Sequence, residues 1–443
     1  MSRFKCIIMG AAGRDFHDFR SFFRERAEYH VCCFTAAQIP FIEARSFPRE
    51  LAGEHYDSDI PIHPERELAE LIARYEVDFV FLSYSDLSHE EVMHRASIVQ
   101  AAGASFALLG PRHTEIRVDV PVIAVTAVRT GVGKSPLSQH VAAHLRAAGR
   151  RVGVVRHPMP YGELLAQRVQ CFERLQDLDA HACTVEEREE YAPYLRQGLR
   201  VYAGVDYRAI ALQAQAESDV ILWDGGNNDT PFLRPTLRIV MLDALRPGHE
   251  VSYYPGETNL RAANIVVINK VEHANDRDRR QLHDNARRLN PTAPVIESDM
   301  AIAVEGAPIA GRRALILEDG PTVTHGGMAF GAGWCAAERG GAVPIDPRPH
   351  AVGTIADAYR AHVHLAAVLP ALGYSDQQLA DLRETIERAA PEVVIDASPA
   401  GVASMLELTK PVARVSYRFE QRTGPALESL IDAALARIHH QGS

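Results

Sequence analysis

The stretch AVRTGVGKSPL, from Ala127 to Leu137, contains the residue types of a phosphate-binding loop. Such a loop needs backbone N–H groups directed at phosphate, a helix N-terminus, a lysine and a hydroxyl for Mg²⁺. The usual pattern, G-x-x-x-x-G-K-[ST], requires a first glycine where this chain has Val128. We nevertheless predict nucleotide binding, because an apolar strand precedes the motif and an amphipathic helix follows it. The predicted contacts are Arg129, Thr130, Gly131, Val132, Gly133, Lys134 and Ser135.

Two known loop variants also lack the first glycine. The stretch T-A-V-R-T-G-V-G-K-S resembles the loop of dethiobiotin synthetase, T-G-T-D-T-x-V-G-K-T, with Ala127 in place of a glycine. It also resembles the partition-type ATPase loop, K-G-G-x-G-K-[ST], with Arg129 where the additional lysine stands. These proteins belong to one group of P-loop proteins that also includes accessory GTPases, so the loop implies either a ligase-like enzyme or a GTPase.

An acidic loop follows the apolar run VILW. Asp224 ends that run and the glycines 225 and 226 follow, so that backbone could approach a γ-phosphate closely. We predict that Asp224 and Ser135 bind Mg²⁺ and that Asn227 and Asn228 orient a nucleophile or the substrate. The alternative is a simple junction between a strand and a turn.

The stretch VVINKVE resembles the guanine-binding pattern N-K-x-D, with Glu272 in place of the aspartate. The longer glutamate puts guanine recognition in doubt, and Asn269 and Lys270 could equally line an adenine pocket. This motif alone does not decide between ATP and GTP.

Several cationic or glycine-rich segments follow other predicted strands. Ligands of open α/β sheets lie at the carboxyl ends of the strands, so these segments are expected to meet at one edge. The predicted substrate-binding residues there are Arg156, His157, Arg246, His249, His325, Gly326 and Gly327, together with the two asparagines. Such a set suits a substrate with more than one phosphate. Each residue alone could instead be an ordinary solvated side chain.

The alternation of apolar runs with amphipathic segments predicts an α/β fold. We expect an N-terminal Rossmann-like parallel sheet over residues 1–117 and a P-loop NTPase parallel sheet over 118–340. A helical insertion is expected at about 163–200, and residues 341–443 are expected to form a C-terminal α/β extension packed on the NTPase domain.

The first predicted strand ends in GAAGRDF, which lacks the dinucleotide-binding spacing G-x-G-x-x-G. NAD binding is therefore not expected. Gly13 and Arg14 could still hold an anion with the helix that follows. Ser83, Ser85 and Asp86 end the third predicted strand nearby, and they could equally form a plain turn.

Composition limits the possible partners. The net charge of −10 argues against a general nucleic-acid or anionic-membrane binder. The six cysteines form no C-x-x-C pair, and the sequence has neither a signal-peptide pattern nor an 18-residue apolar run. We expect a cytoplasmic protein with a small-molecule substrate.

The stretches AVTAVRTGVGKS, VVRHPMPYGEL, WDGGNND, RPGHEVSYYPGE, NLRAANIVVINKVE and EDGPTVTHGGM, in this order, resemble the cyclic 2,3-diphosphoglycerate synthetase family. MGAAGRDFHDF, VYAGVDY and DPRPHAVG extend the resemblance over nearly the whole chain. The resemblance implies ATP, Mg²⁺ and potassium as cofactors. It also implies closure of 2,3-bisphosphoglycerate into a cyclic pyrophosphate, with release of ADP and phosphate.

The phosphate loop and the cationic segments at the strand ends together imply a mechanism in which Lys134 and Mg²⁺ neutralise the transferring phosphoryl group. Arg156, His157 and His325 would hold two substrate phosphates close together. The rival function is a GTPase of the regulatory or metal-delivery type with a protein client. By analogy with this P-loop group we also expect a homodimer.

Overall fold

The computed structural model describes residues 3–11, 13–37, 45–156, 164–226, 228–324, 326–372, 375–399, 401–406 and 408–441. The predicted site residues His157, Asn227 and His325 lie outside these described residues. The strands form two main sheets and one short two-stranded ribbon. The predicted α/β fold class is thereby confirmed.

The first main sheet is built from residues 4–107 and has the strand order β3-β4-β2-β1-β5-β7. Its strand pairs are parallel except for β3 with β4. The elements are β1 (Phe4–Met9), α1 (Arg14–Asp18), a π-helical turn (Phe19–Phe23), β2 (Tyr29–Ala36), β3 (Ser46–Phe47), α2 (Arg49–Ala52), β4 (Ile60–Pro64), α3 (Leu68–Tyr75), β5 (Phe79–Leu82), β6 (Leu87–Ser88), α4 (His89–Ala101), β7 (Ser105–Ala107) and α5 (Pro111–Thr114).

The second main sheet begins with the strand that leads into the phosphate loop. Its first elements are β8 (Val122–Ala127), α6 (Lys134–Ala147), β9 (Val152–Arg156), β10 (Gln170–Phe172), α7 (Leu175–Ala180), α8 (Val185–Arg196), β11 (Arg200–Ala203), α9 (Tyr207–Glu217), β12 (Val220–Asp224), β13 (Leu237–Asp243), β14 (Tyr253–Tyr254), α10 (Gly256–Arg261), β15 (Ile265–Asn269) and α11 (Asp276–Leu289). β8, β12, β13 and β15 are parallel, and every residue of β8 is buried. An uninterrupted apolar strand is typical of a parallel sheet covered on both faces.

The C-terminal elements continue the second sheet. They are β16 (Val295–Gly306), β17 (Arg313–Asp319), α12 (Gly320–Val323), α13 (Ala332–Arg339), β18 (Val343–Pro344), α14 (Gly353–Ala361), β19 (Leu369–Ala371), α15 (Asp376–Ala389), β20 (Val393–Asp396), α16 (Val402–Met405), β21 (Val412–Thr423) and α17 (Leu427–Gln441). β16 pairs antiparallel with β21, which joins β20 and β17 to the sheet. The predicted boundary at residue 340 falls between β17 and β18, two strands that pair with each other.

The two main sheets meet close to the phosphate loop. β6 of the N-terminal part pairs antiparallel with β14 of the second part, aligning Ser88 with Tyr253. This ribbon places the loop after β5 beside the loop that follows β8. Across the parts of the chain that the structure describes, no helix is both long and apolar enough to span a membrane.

Candidate nucleotide and phosphoryl-transfer site

The phosphate loop, defined here as Val128–Ser135, connects the end of β8 to the start of α6. Gly131 has φ +79° and Gly133 has φ +108°, a region in which side chains are strained. A Cβ atom on Gly133 would lie 2.5 Å from Asn269 Nδ2. These two glycines are therefore required by the turn and by the close approach of β15. Val128, at the position of the missing first glycine, is buried and its N–H donates to the Met241 carbonyl at 3.0 Å.

Three consecutive carbonyls of the phosphate loop accept hydrogen bonds from side chains. Arg246 Nη2 donates to the Thr130 carbonyl at 2.7 Å. Lys270 Nζ donates to Gly131 and Asn269 Nδ2 to Val132, each at 2.7 Å. A trans peptide places its C=O and N–H on opposite sides. The N–H groups of residues 131–133 therefore point away from these three side chains, and within the described residues they make no hydrogen bond. Such a run of N–H groups at a helix start can bind phosphate.

Lys134 and Asp224 form the centre of a buried ion-pair network. Lys134 Nζ donates to Asp224 Oδ1 at 2.8 Å, and Arg156 Nη1 donates to Asp224 Oδ2. Tyr194 donates its hydroxyl to the same Oδ2 at 2.5 Å, and Arg156 Nη2 lies 2.6 Å from Glu190 Oε2. Asp224 is fully buried, and burial alone would raise its pKa, but Arg156 and Lys134 hold that pKa well below its usual range. The Asp224 carboxylate is therefore ionised in the folded protein near neutral pH.

The two predicted Mg²⁺ ligands differ in how well they fit a metal ion. The Ser135 side chain is exposed in the first turn of α6 and could reach a metal bound to nucleotide phosphates. Both Asp224 oxygens already accept from Lys134, Arg156 or Tyr194. The described residues contain no group of three or more His, Cys, Asp or Glu side chains arranged for a metal. Ser135 thus fits Mg²⁺ directly, whereas Asp224 would need to exchange a present partner.

The predicted base-recognition residues instead contact the phosphate loop and nearby charged side chains. Asn269 accepts from the Ser298 hydroxyl at 2.9 Å, and Lys270 Nζ lies 3.1 Å from Asp243 Oδ2. Glu272 is half-exposed and pairs with Arg339 at 3.2 Å, and its N–H donates to Asp299. The geometry gives Asn269 and Lys270 a structural role in the loop and offers no preference between adenine and guanine.

Arg129 and Thr130 contact the N-terminal part of the molecule. Arg129 Nε lies 2.6 Å from Asp86 Oδ1, and its guanidinium lies 3.8 Å from the centre of the Tyr253 ring. Arg129 Nη1 and His249 Nδ1 are 3.0 Å apart. Burial, followed by the charges of Arg129 and Arg246, lowers the pKa of His249 to about 4. The imidazole is therefore neutral near pH 7 and can accept from Arg129.

Asn228 lies directly behind the phosphate loop. With its amide oriented to suit its neighbours, Oδ1 accepts from the Thr130 N–H at 2.7 Å and Nδ2 donates to the Arg129 carbonyl at 3.2 Å. The next residue, Asp229, is buried near Arg14, with 3.9 Å between Asp229 Oδ1 and Arg14 Nη1. Burial raises the pKa of Asp229 to about 7. Asn228 thus contacts the loop itself, while Asp229 belongs to the interface with α1.

The glycine-rich segment after α12 also reaches the phosphate loop. The Gly326 carbonyl accepts from Arg246 Nη1 at 2.6 Å, so one arginine joins this segment to the loop. Gly327 has φ +66°, and a Cβ on Gly131 would lie 3.2 Å from Thr322 Cγ2. The structure therefore brings Arg246, Gly326 and the loop together as predicted from their strand ends.

For the turn after β1, the sequence left two alternatives open: an anion site at Gly13 and Arg14, or a plain turn. Asp15 Oδ1 accepts the N–H groups of Gly13 at 3.0 Å and Phe16 at 2.7 Å. Arg14 is buried, with Nη1 donating to Thr230 Oγ1 at 2.7 Å. The protein's own carboxylate thus occupies the start of α1, which favours the plain turn.

Three contributors were not predicted from the sequence: Glu190, Tyr194 and the contact of Asp86 with the loop. The first two lie on α8, inside the charged segment interpreted as an insertion. Their spacing of four residues would place both on one helix face, which is a signal the sequence contained. The Asp86 contact spans 44 residues and has no comparable signal.

No model of a protein family matches this chain. Over 430 residues, 97% of this chain and 96% of the relative, it is 50% identical to the arginine synthetase ArcE of Thermococcus kodakarensis.

Solved structures give weaker similarities. LpxK from Aquifex aeolicus, solved in complex with ATP, shows 12% identity and a TM-score of 0.44 over 84% of this chain and 99% of its own. The ligase MPL from Neisseria meningitides shows 11% identity and a TM-score of 0.26 over 68% of this chain and 81% of its own. The extent and identity of the match to ArcE are decisive: the chain belongs to the family of the arginine synthetase ArcE.

Proposed function

We propose that the protein is an ATP-dependent synthetase that activates an oxygen of a small substrate by phosphorylation. The observation that carries this proposal is the phosphate loop, whose N–H groups at 131–133 lie just before the start of α6 and point away from the side chains that bind the loop carbonyls. Lys134 begins that helix and reaches Asp224. Bound Mg²⁺, held through Ser135, would supply charge neutralisation for the phosphates.

The relative's name indicates the product, which we propose to be arginine. Arginine differs from its ureido analogue, citrulline, by a nitrogen in place of one oxygen. In the first step the ureido oxygen attacks the γ-phosphorus, an O–P bond forms, and the bond to ADP breaks. In the second step ammonia attacks the ureido carbon, and the C–O bond breaks. Phosphate leaves with the former ureido oxygen and takes up one proton of the ammonia nitrogen, and the product is the guanidinium group of arginine.

Charge supports a substrate without several phosphates. Among the described residues, the arginines and lysines around the loop are already paired: Arg129 with Asp86, Arg156 with Asp224 and Glu190, and Arg246 and Lys270 with Asp243. Like charges gathered in a buried site repel unless they are compensated. A bisphosphorylated acid would have to displace these carboxylates, whereas a zwitterionic amino acid would not.

Cyclisation of 2,3-bisphosphoglycerate remains the second proposal, supported by the ordered motifs along the chain. One substrate phosphate would attack the γ-phosphorus, and the other would then displace inorganic phosphate to close the ring. A GTPase with a protein client is the third proposal, supported by N-K-V-E. Asn269 and Lys270, however, bind the phosphate loop through its carbonyls. We propose ATP as the nucleotide and K⁺ as a further cofactor. We also propose that the protein forms a homodimer.

Phosphorus NMR and amino-acid analysis of one set of reactions separate these proposals. The purified protein is incubated with Mg²⁺, K⁺ and ATP or GTP, together with citrulline and ammonia, 2,3-bisphosphoglycerate, or neither. We expect arginine, ADP and phosphate with citrulline and ammonia only. A new pyrophosphate resonance would favour the cyclising enzyme, and nucleotide hydrolysis at one rate in all mixtures would contradict both synthetase proposals.

A further inference from the structure

Asp86 belongs to the N-terminal part of the chain, and its side chain contacts the phosphate loop. The residue lies in the loop that follows the carboxyl end of the parallel strand β5 and directly precedes β6. Its φ is +60°, a conformation that aspartate tolerates better than most residues. Strained backbone of this kind persists where the surroundings impose it. The β6–β14 ribbon supplies such surroundings, because it fixes this turn against the second part of the chain.

The Asp86 carboxylate contacts the phosphate loop at three points. Oδ2 accepts from the Thr130 hydroxyl at 2.9 Å and from the Thr130 N–H at 3.3 Å. Oδ1 pairs with Arg129 Nε at 2.6 Å. The side chains of Asp86 and Arg129 are only 13% and 10% exposed, so solvent screens the pair weakly.

The loop has a physical need for such an anchor. It has Val128 and Thr130 where related loops have glycines, so its shape cannot depend on glycine geometry at those positions. Arg246, Lys270 and Asn269 hold the carbonyls of residues 130–132 from one side. Asp86 and Asn228 share the Thr130 N–H, which fixes the peptide before it. The carbonyl partners come from the second part of the chain, whereas Asp86 comes from the first.

We propose that Asp86 is a positioning residue through which the N-terminal domain completes the ATP site. The carboxylate fixes Arg129 and Thr130, and these two residues set the direction of the N–H groups that follow. The N-terminal domain is then part of the catalytic unit rather than a separate ligand-binding module. This inference rests on the proposed ATP-dependent function.

The test measures ATP affinity directly and turnover separately. Titration with a fluorescent ATP analogue is compared for wild type, Asp86→Ala and Asp86→Asn. We expect the dissociation constant of Asp86→Ala to rise roughly 10-fold or more, since buried hydrogen bonds to a charged group contribute strongly. Asp86→Asn retains an acceptor for Thr130 but loses the ion pair, so its effect should be intermediate. The KM of the second substrate should not change.

Glu90→Gln is the matched control, because Glu90 is an exposed carboxylate of the same domain whose partner is His94. Arg129→Gln combined with Asp86→Asn should be non-additive, which a general loss of stability would not produce. Equal ATP affinity of wild type and both Asp86 variants would overturn the inference while leaving the proposed function intact. Failure of wild type to bind ATP would instead overturn the proposed function. If Asp86→Ala does not fold, the ATP affinity of Asp86→Asn and its double-mutant cycle with Arg129→Gln decide whether the inference holds.

Discussion

Two turns of this molecule share one plan and differ in a single feature. The turn after β1 and the phosphate loop after β8 both connect a buried parallel strand to a helix. In the first, the Asp15 carboxylate accepts the N–H groups of Gly13 and Phe16. In the second, the first turn of α6 contains no acidic residue and begins with Lys134. In the turn after β1, therefore, the protein's own carboxylate occupies the N–H groups that a bound anion would need.

A third helix start follows the first pattern. Glu318, at the end of β17, accepts the N–H groups of Gly331, Gly333 and Trp334 around the start of α13, at 2.7 to 3.1 Å. Burial raises the pKa of Glu318 to about 7 in spite of these donors. The carboxylate comes from a distant strand rather than from the helix itself. Closed helix starts thus arise in two ways, and the start of α6 differs from both.

The largest effect is expected from removing the lysine of the open helix start. Lys134→Ala should reduce turnover by about 1000-fold, because a preorganised cation at the transferring phosphoryl group is lost. The fold should survive, since Asp224 keeps Arg156 and Tyr194 as partners. Initial rates and the melting temperature check both statements. Lys5→Ala, at an exposed lysine paired with Glu76, is the control and should match wild type.

Removing the carboxylate behind that lysine should mainly affect stability. Asp224→Asn leaves Arg156 fully buried with Glu190 as its remaining charged partner, which should cost about 3 to 4 kcal/mol of unfolding free energy. Urea denaturation measures the loss. Asp219→Asn at the start of the same strand breaks an exposed pair with Arg151 and should cost less than about 1 kcal/mol. Similar losses for the two variants would contradict the network described here.

The closed start of α13 predicts a pH dependence. The folded pKa of Glu318 is about 7, above the ordinary value of 4.5, so the folded state binds the proton more tightly. Its contribution to stability is therefore fully present below about pH 4.5 and declines as pH rises to about 7, on the order of 3 kcal/mol in total. Glu318→Gln should flatten the stability profile between these pH values. An unchanged profile would show that Glu318 does not titrate there.

The smallest effect is expected at the closed turn after β1. Asp15→Ala removes the acceptor of two N–H groups and should lower the unfolding free energy by about 1 to 2 kcal/mol, as loss of a helix cap does. The dissociation constant for ATP should be unchanged, because the two N–H groups that Asp15 accepts belong to Gly13 and Phe16, outside the phosphate loop. A weaker ATP affinity in this variant would show that the two turns are coupled, and the distinction between them would fail.

Local patterns in the sequence were enough to predict the phosphate loop and the strand and helix that flank it. They also predicted that Arg246 and Asn269 lie at the ends of strands. The sequence did not reveal that both Asp224 oxygens bind cations or hydroxyls, nor that Asp86 reaches Thr130. Those contacts depend on packing between distant segments. The antiparallel pairing of β16 with β21 was missed for the same reason, because it joins two segments that lie far apart in the chain.

Transfer of the substrate oxygen to phosphate tests the central claim most directly. Citrulline labelled with ¹⁸O in its ureido group is incubated with ammonia, Mg²⁺ and ATP, and the released phosphate is followed by phosphorus NMR. We expect phosphate that carries one ¹⁸O atom in proportion to the arginine formed. Unlabelled phosphate released without arginine would mean hydrolysis by water and would contradict phosphoryl transfer to this substrate.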